Sequence, residues 1–264
     1  MKRVFITGAS SGLGAALAAE YAAQGALLGL VARRGLALRE LVATLPGSGH
    51  RIYALDVTEH AALAAAAADF IAVAGGIDIV IANAGISAGT LTGIDEDLRM
   101  FERILATNVT ATMATFAPFI DPMKRQAAAG ERGCRLVGIA SVAGIRGLPG
   151  GAGYSASKAA VISYCESLRL EMRSCGVKVV TIAPGYIDTP MTRSNSYPMP
   201  FLMRAPRFAA QAVAAIDAGA SYRVIPWQMG IVAKLLRLLP NPLYDLLFAR
   251  APRKARQGGS IEGA

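Results

Sequence analysis

Three side chains able to handle a proton together fall within one stretch, CRLVGIASVAGIRGLPGGAGYSASK, residues 134–158: Ser141, Tyr154 and Lys158. The run 134–140 is apolar enough for a buried strand and gives out into a Gly-rich loop at Ser141, so the hydroxyl is expected at a strand's C-terminal end. Downstream, YSASKAAVISYCESLRLEM keeps apolar residues at helical spacing. Tyr154 and Lys158, at i and i+4, therefore share one helix face. A phenol titrates near a pKa of about 10, and an adjacent ammonium favours the phenolate and lowers that value. Such a phenol could protonate a carbonyl oxygen as a hydride arrives, or deprotonate an alcohol as one leaves, while Ser141 hydrogen-bonds the same oxygen. Y-x-x-x-K alone is a cheap pattern that a solvated lysine beside a half-buried tyrosine also satisfies. Its weight comes from the rest of the chain.

Positioning these groups requires a scaffold, and strand-like and helix-like runs alternate from the first residue. Arg3–Thr7 is a short β-rich run, 13–24 is helical and Ala-rich, and 26–32 is apolar again. A helix over 36–45, a strand over 51–55, a helix over 59–74 and a strand over 77–82 follow. The second half offers a helical region over 95–116, the strand before Ser141, the helix of Tyr154, a strand over 178–183, a helix over 207–218 and a strand at Tyr222–Ile225. This order predicts an α/β fold: a single doubly wound, Rossmann-type domain with a parallel sheet and helices on both faces. The near-continuous apolar strands fit that burial, and ligands of such sheets bind beyond the strands' carboxyl ends at the topological switch point. The domain is expected over 1–225, with an apolar helical extension and basic tail over 226–264 as part of the same unit.

Composition bounds the function. The 264 residues are 53% apolar and 17% charged, enough for a sizeable core. Net charge is +9, but from Ser221 onward seven Lys/Arg face only Asp245 and Glu262, so +5 of it belongs to the C-terminal end. Without a basic run interleaved with aromatics, a nucleic-acid groove has little support. Cys134, Cys165 and Cys175 form neither a C-x-x-C pair nor an even framework, which suits reduced thiols. The two histidines, His50 and His60, lie in no metal-ligand spacing, so neither a metal site nor a histidine-based triad is expected. MKRVFITGAS is too soon interrupted by glycine for a signal peptide, and no apolar run offers a membrane span. A cytoplasmic protein is expected, with peripheral contact at the inner membrane surface left open.

Between the first strand and first helix stands TGASSGLG, residues 7–14. Its glycines Gly8, Gly12 and Gly14, with Ser10, Ser11 and Leu13 between them, let backbone N–H groups approach a phosphate at a helix N-terminus. The spacing departs from G-x-G-x-x-G, and the turn gains meaning from its strand–turn–helix setting.

This turn, followed by Asn83-Ala84-Gly85, Asn108, Ser141, the Y-S-A-S-K run and Pro184-Gly185, resembles the short-chain dehydrogenase/reductase family over about residues 1–225. The resemblance implies an NAD(P)-dependent oxidoreductase acting on a small carbonyl compound or alcohol. In it Tyr154 is the acid/base, Ser141 orients the substrate oxygen, Lys158 holds the nicotinamide ribose and lowers the tyrosine pKa, and Asn108 anchors a water in a proton relay. It further implies that Asn83, Ala84 and Gly85 support the adenine-ribose side, that Asp56 and Val57 line the adenine, and that Pro184, Gly185, Ile187 and Thr189 close over the nicotinamide. Homo-oligomers are common in the family.

At the end of the second strand, where a carboxylate would bind a ribose 2′-hydroxyl, stand Ala32, Arg33 and Arg34. Two guanidiniums and no acid favour a 2′-phosphate, hence NADP(H), with NAD(H) as the alternative. Residues 191–206 carry prolines and methionines that discourage one continuous helix. Pro198, Met199, Phe201 and Met203 are expected to form either an adaptable apolar lid or a stapled surface loop. No charged residue is evidently committed to a substrate anion, which favours an apolar substrate. In the extension, a helix over 227–239 would put Gly230, Lys234 and Arg237 on a narrow polar stripe and leave a wide apolar surface. That surface could roof the pocket, form a subunit interface, or meet a bilayer through Arg250, Arg253, Lys254 and Arg256. A non-catalytic nucleotide sensor is the competing class, and the complete set Asn108, Ser141, Tyr154 and Lys158 argues against it.

Overall fold

A computed structural model of the chain describes residues 1–256 apart from 132, 194, 196, 252, 253 and 255. Of the basic tail, Arg253 lies outside the described residues, as does everything past 256.

The apolar runs become strands β1 (Arg3–Thr7), β2 (Leu27–Ala32), β3 (Arg51–Ala54), β4 (Ile79–Ala82), β5 (Arg135–Ile139), β6 (Lys178–Pro184), β7 (Ile187–Asp188), β8 (Met203–Arg204) and β9 (Tyr222–Ile225). All but β7 and β8 form one parallel sheet in the order β3-β2-β1-β4-β5-β6-β9. The sequence of connections reverses direction between β1 and β4, which opens a crevice at their carboxyl ends. β7 and β8 pair with each other, two short strands that the sequence pattern did not announce.

The helices are α1 (Gly12–Ala23), α2 (Gly35–Thr44), α3 (His60–Ala74), α4 (Asp95–Leu105), α5 (Ala111–Ala128), α6 (Ala152–Glu171), α7 (Pro190–Arg193), α8 (Ala205–Ala218), α9 (Trp227–Leu238) and α10 (Asn241–Phe248). They cover both faces of the sheet, because alternate residues of each strand point opposite ways. Val4 and Ile6 of β1 join a core with Leu17 of α1 and Phe208 of α8. Phe5, between them, joins Phe70 of α3 and Phe119 of α5 in the other core, its ring centroid 4.9 Å from that of Phe119. Each such fully buried side chain stabilises the fold by roughly 1.5–3 kcal/mol.

Two expectations are corrected. The helical region expected over 95–116 is interrupted by a π-helical turn at Ala106–Thr110 and continues as α5 to Ala128, through Pro118 and Pro122. Burial of Phe116, Phe119 and Met123 on its inner face offsets the hydrogen bonds those prolines remove. In α9, Gly230 does not belong to a solvent-facing stripe. It is buried with Met229 and Ala233, and a Cβ there would come 3.1 Å from Val224 Cβ, so the small residue allows α9 to rest on β9.

Candidate active site

β5 ends beneath the crevice and delivers Ser141 in an extended conformation, its Oγ accepting a hydrogen bond from Ala143 N at 3.1 Å. α6 lies tightly against β5, since a Cβ at Gly138 would come 2.5 Å from Cys165 Sγ. The loop after Ser141 is equally close, for a Cβ at Gly144 would meet the Lys158 carbonyl carbon at 2.6 Å. These contacts fix the face of α6 that carries Tyr154 and Lys158.

Lys158 is 5% exposed, and its ammonium donates to Ile139 O at 2.8 Å and lies 5.8 Å from the Tyr154 ring centroid. Burial brings its pKa down to about 8. The Tyr154 phenol is pushed above the ordinary tyrosine value by burial, opposed by its hydrogen bond with Ser141. The expected lowering of the phenol by Lys158 is therefore corrected: the ammonium is engaged by the Ile139 carbonyl, and desolvation dominates both groups.

Asn108 sits in the π-helical turn, 1% exposed. Its Oδ1 accepts from Ile86 N at 2.8 Å, and its Nδ2 donates to Ile86 O at 3.0 Å and to Ser157 Oγ at 2.9 Å. Ser157 in turn donates to Tyr154 O at 2.7 Å. Asn108 does not open onto the crevice. It holds the segment after β4 against α6, with the small Gly85 between Asn108 Oδ1 and Lys158 Nζ.

The crevice is a cavity of about 590 Å³ lined by Gly8, Ser10, Ser11, Gly12 and Leu13 at one end and Pro184, Gly185, Ile187 and Thr189 at the other. Arg33, Arg34, Asp56, Val57, Asn83, Ala84 and Gly85 line its flank, and Ser141, Tyr154 and Lys158 its floor. Gly14 stands just behind, where a Cβ would collide with Gly8 O and lie 2.6 Å from Asn83 Nδ2. Asn83 fixes the turn by donating to Thr7 O at 2.9 Å and Gly8 O at 3.2 Å, while Thr7 Oγ1 accepts from Asn83 N and Ala84 N. At the rim, Arg34 donates to Ser11 Oγ at 2.8 Å and Ser10 Oγ at 3.1 Å. Arg33 lies 3.6 Å from Asp56. Burial raises the Asp56 pKa, but hydrogen bonds from Thr58 and the Arg33 charge outweigh it and hold the carboxyl below its usual value. Asp56 is the one carboxylate among the described lining residues, against Arg33, Arg34, Arg103 and Lys158. Such a cleft suits a long polyanion, and its Gly-rich turn at the α1 N-terminus leaves amides free of side-chain caps, so a dinucleotide fits the residues present.

A second cavity of about 260 Å³ adjoins the first at Ser141 and Tyr154. Its walls are Leu148, Pro149, Tyr186, Met191, Tyr197 and Pro198, and its outer side is closed by Phe248, Ala251 and Lys254. Of the expected lid residues only Pro198 lines it. Met203 is buried beside β7, Phe201 is half exposed with φ of 57°, and Met199 meets Asn195. Phe248, Ala251 and Lys254 of the C-terminal extension thus cover this pocket, and α9 and α10 before them are tied to the domain by Arg146, which donates to Leu239 O at 2.7 Å and Asn241 Oδ1 at 3.1 Å and stacks on the Tyr244 ring at 3.9 Å. Thr7, Ser157, Tyr186, Arg146 and Lys254 were not singled out as site residues from the sequence. Thr7 and Ser157 stand inside runs already read as functional, whereas Arg146 and Lys254 act through contacts about a hundred residues apart.

The short chain dehydrogenase family model matches residues 2–199. A protein of Myxococcus xanthus described as an uncharacterized oxidoreductase is 37% identical over 249 residues, 92% of this chain and 95% of its own length. The 2-dehydro-3-deoxy-L-rhamnonate dehydrogenase (NAD(+)) of a Sphingomonas species is 35% identical over 70% of this chain and 72% of its own length. The 3-ketoacyl-(acyl-carrier-protein) reductase of Brucella melitensis, solved with NADH, matches with a TM-score of 0.78 and 26% identity over 85% of this chain and 96% of its own. With its parallel sheet, Gly-rich turn and serine–tyrosine–lysine floor, the chain belongs to the short chain dehydrogenases, oxidoreductases acting on alcohol and carbonyl groups with a nicotinamide cofactor.

Proposed function

We propose that this chain is an NADP(H)-dependent oxidoreductase that transfers hydride between the nicotinamide and a carbonyl or secondary alcohol, with Tyr154 as the general acid/base. The observation that carries the reading is the meeting of the long cationic crevice and the small apolar-walled pocket at Ser141 and Tyr154. When bound, the cofactor supplies or accepts the hydride. The chain's own groups do the rest. Ser141 and Tyr154 hold the substrate oxygen, and a phenol raised by burial stays protonated near neutrality, the form that gives a proton to a carbonyl oxygen. Lys158 binds the nicotinamide ribose, and Asn108 is a positioning residue that holds Gly85 and, through Ser157, the turn of α6 bearing Tyr154. Tyr154→Phe is expected to bind cofactor normally and to lose turnover by about 10²-fold or more across a ketone and alcohol panel. Retained turnover would overturn the role of Tyr154, and a parent chain that binds cofactor but turns over nothing would favour a nucleotide sensor.

The preference for NADP(H) is supported by Arg34, whose guanidinium stands with the Ser10 and Ser11 hydroxyls at the crevice rim, and by the pairing of Asp56, the one carboxylate among the described lining residues, with Arg33. Replacing both arginines by alanine should weaken NADPH binding selectively, since each charge-assisted hydrogen bond to a phosphate contributes about 1.5–3 kcal/mol. Equal affinity of the parent for NADPH and NADH, measured by titration, would assign the arginines to another task.

We read the extension over 226–264 as part of the same unit, and the chain as a homo-oligomer. Trp227, Ile231, Leu235 and Leu238 of α9 and Leu243, Leu246 and Leu247 of α10 are exposed, an apolar surface that a subunit interface would cover ahead of a bilayer. Among the described residues no helix is long and apolar enough to cross a membrane. Peripheral membrane contact is the second reading of that surface. Sedimentation of the parent beside a Leu235→Glu/Leu238→Glu variant tests it: a dimer or tetramer reduced to monomer supports the interface, and a monomeric parent that sediments with anionic vesicles supports the membrane.

A further inference from the structure

The second cavity carries a charge that an apolar substrate would leave without a partner. Lys254 lines it at the outer side, its ammonium 5.3 Å from the Tyr154 ring centroid. It is the one charged side chain among the described lining residues, none of which is a carboxylate, and it makes no ion pair with any described residue. Burial lowers its pKa, as expected for an ammonium partly withdrawn from water with no carboxylate of the described residues paired to it.

Its place is held from both sides in sequence. Upstream, Tyr244 donates through its hydroxyl to Gly147 O and stacks on Phe248, with Arg146 over its other face. Downstream, Arg256 grips Asp97 through Nε at 2.8 and 3.1 Å and through an Nη at 3.1 Å. Asp97 is 6% exposed, lies in the first turn of α4 and also accepts from Leu91 N at 2.8 Å, so it is itself a fixed point. Two anchors therefore bracket Lys254 over a pocket whose other described lining residues are uncharged, Tyr186, Tyr197, Leu148 and Met191 among them.

We infer that Lys254 is a specificity-determining residue that pairs with a carboxylate of the substrate, so that this pocket takes a small oxo or hydroxy acid whose carbonyl or hydroxyl reaches Tyr154 while its carboxylate reaches Lys254. The inference deepens the proposed reaction and rests on the reading that this pocket holds the substrate. A half-buried ammonium left unpaired by a neutral ligand is less favourable than in water, and the same ammonium beside a carboxylate gains a charge-assisted hydrogen bond. Discrimination between an acid and its ester follows from that difference. The sequence alone favoured an apolar substrate, because the position of Lys254 depends on the two anchors and not on any local pattern.

The test uses levulinate and para-acetylbenzoate, each beside its methyl ester, with the full-length chain and NADPH. The ratio of kcat/KM for acid over ester is expected to exceed unity by about tenfold or more in the parent. It should collapse toward unity in Lys254→Met, which keeps the length and removes the charge, and persist in Lys254→Arg. A ratio near unity in the parent, or one that Lys254→Met leaves unchanged, overturns the proposal. A Lys254→Met variant that turns over acid and ester alike faster than the parent would instead make Lys254 a plug over Tyr154. Calorimetric binding of para-acetylbenzoate and its ester to the Tyr154→Phe chain separates this proposal from the assignment of Tyr154. Tighter binding of the acid, lost on adding Lys254→Met, supports the lysine whatever the fate of turnover. Equal binding of acid and ester, or binding of neither, overturns it.

Discussion

Lys158 is an ammonium with 5% exposure whose described hydrogen-bond partner is a carbonyl, Ile139 O, and not a carboxylate. That arrangement makes folding depend on pH in a defined sense. Its pKa is about 8 in the folded chain against an ordinary value of 10.5. Below 8 both folded and unfolded chains hold the proton, and the full penalty of burying the charge is present. As the pH rises through 8 the folded chain releases its proton first, the unfolded chain binds more protons, and stability rises until the unfolded lysine titrates near 10.5. Cys165, pushed up to about 11 by burial, acts in the opposite sense above the usual thiol range, and buried tyrosines do so higher still. Comparison with Lys158→Met cancels the tyrosine contributions and, because the Lys158 charge only partly opposes the effect of burial on Cys165, most of that thiol's. Relative to that variant, the parent should gain up to about 1.4 kcal/mol per pH unit between 8 and 10.5 in urea unfolding. A flat difference would show that the folded lysine keeps its proton throughout.

At the scale of elements, the distance between β5 and α6 sets where Tyr154 stands. Gly138→Ala adds a methyl 2.5 Å from Cys165 Sγ and 3.5 Å from Val161 Cγ1, so α6 must move outward or Cys165 must turn. Overpacking of this kind costs about 1–3 kcal/mol. Because α6 carries the phenol, turnover should fall with stability. Cys165→Ala in the same chain removes the colliding sulfur and should restore part of both, a coupling that a double-mutant cycle of unfolding midpoints and kcat measures. Additive effects would mean that the two positions do not press on one another. Sequence periodicity made both elements legible, because a buried parallel strand and a long helix each leave a strong local pattern. It also placed Ser141, Tyr154 and Lys158 together, since one strand end and one helix face suffice for that. The π-helical turn at Ala106–Thr110 and the β7–β8 pair left no such trace. They are two to five residues long, and tertiary contacts select them: Asn108 is held by Ile86 and Ser157, and Met203 N donates to Tyr186 O at 3.0 Å. The direction of the Tyr154 shift was missed for a related reason, as burial cannot be read from spacing.

For the whole molecule, the question is whether the C-terminal extension is an ornament on a complete domain or a wall of it. α9 and α10 bury little of themselves: Met229, Gly230 and Ala233 of the first and Tyr244 of the second. Besides the packing of α9 on β9, their attachment runs through Arg146, which lies in the loop between Ser141 and Tyr154 and bonds the carbonyls at the end of α9, including Leu236 O and Leu239 O. Those carbonyls have no partner within the helix, so the guanidinium satisfies them and complements the negative end of the helix dipole. The same side chain stacks on Tyr244 and so reaches α10. One residue of the active-site loop thereby ties the roof to the floor. Arg146→Met, which retains much of the aliphatic stem, should lower the unfolding free energy by about 1.5–3 kcal/mol, the range for hydrogen bonds to a charged group. If the extension is a wall of the same unit, calorimetry should record one transition shifted as a whole, and KM for the carbonyl substrate should rise more than KM for the cofactor, whose crevice the roof does not line. Separate melting of the extension ahead of an unshifted main transition, with both KM values unchanged, would make it an appendage. The roof would then have to be supplied by contacts other than those of Arg146.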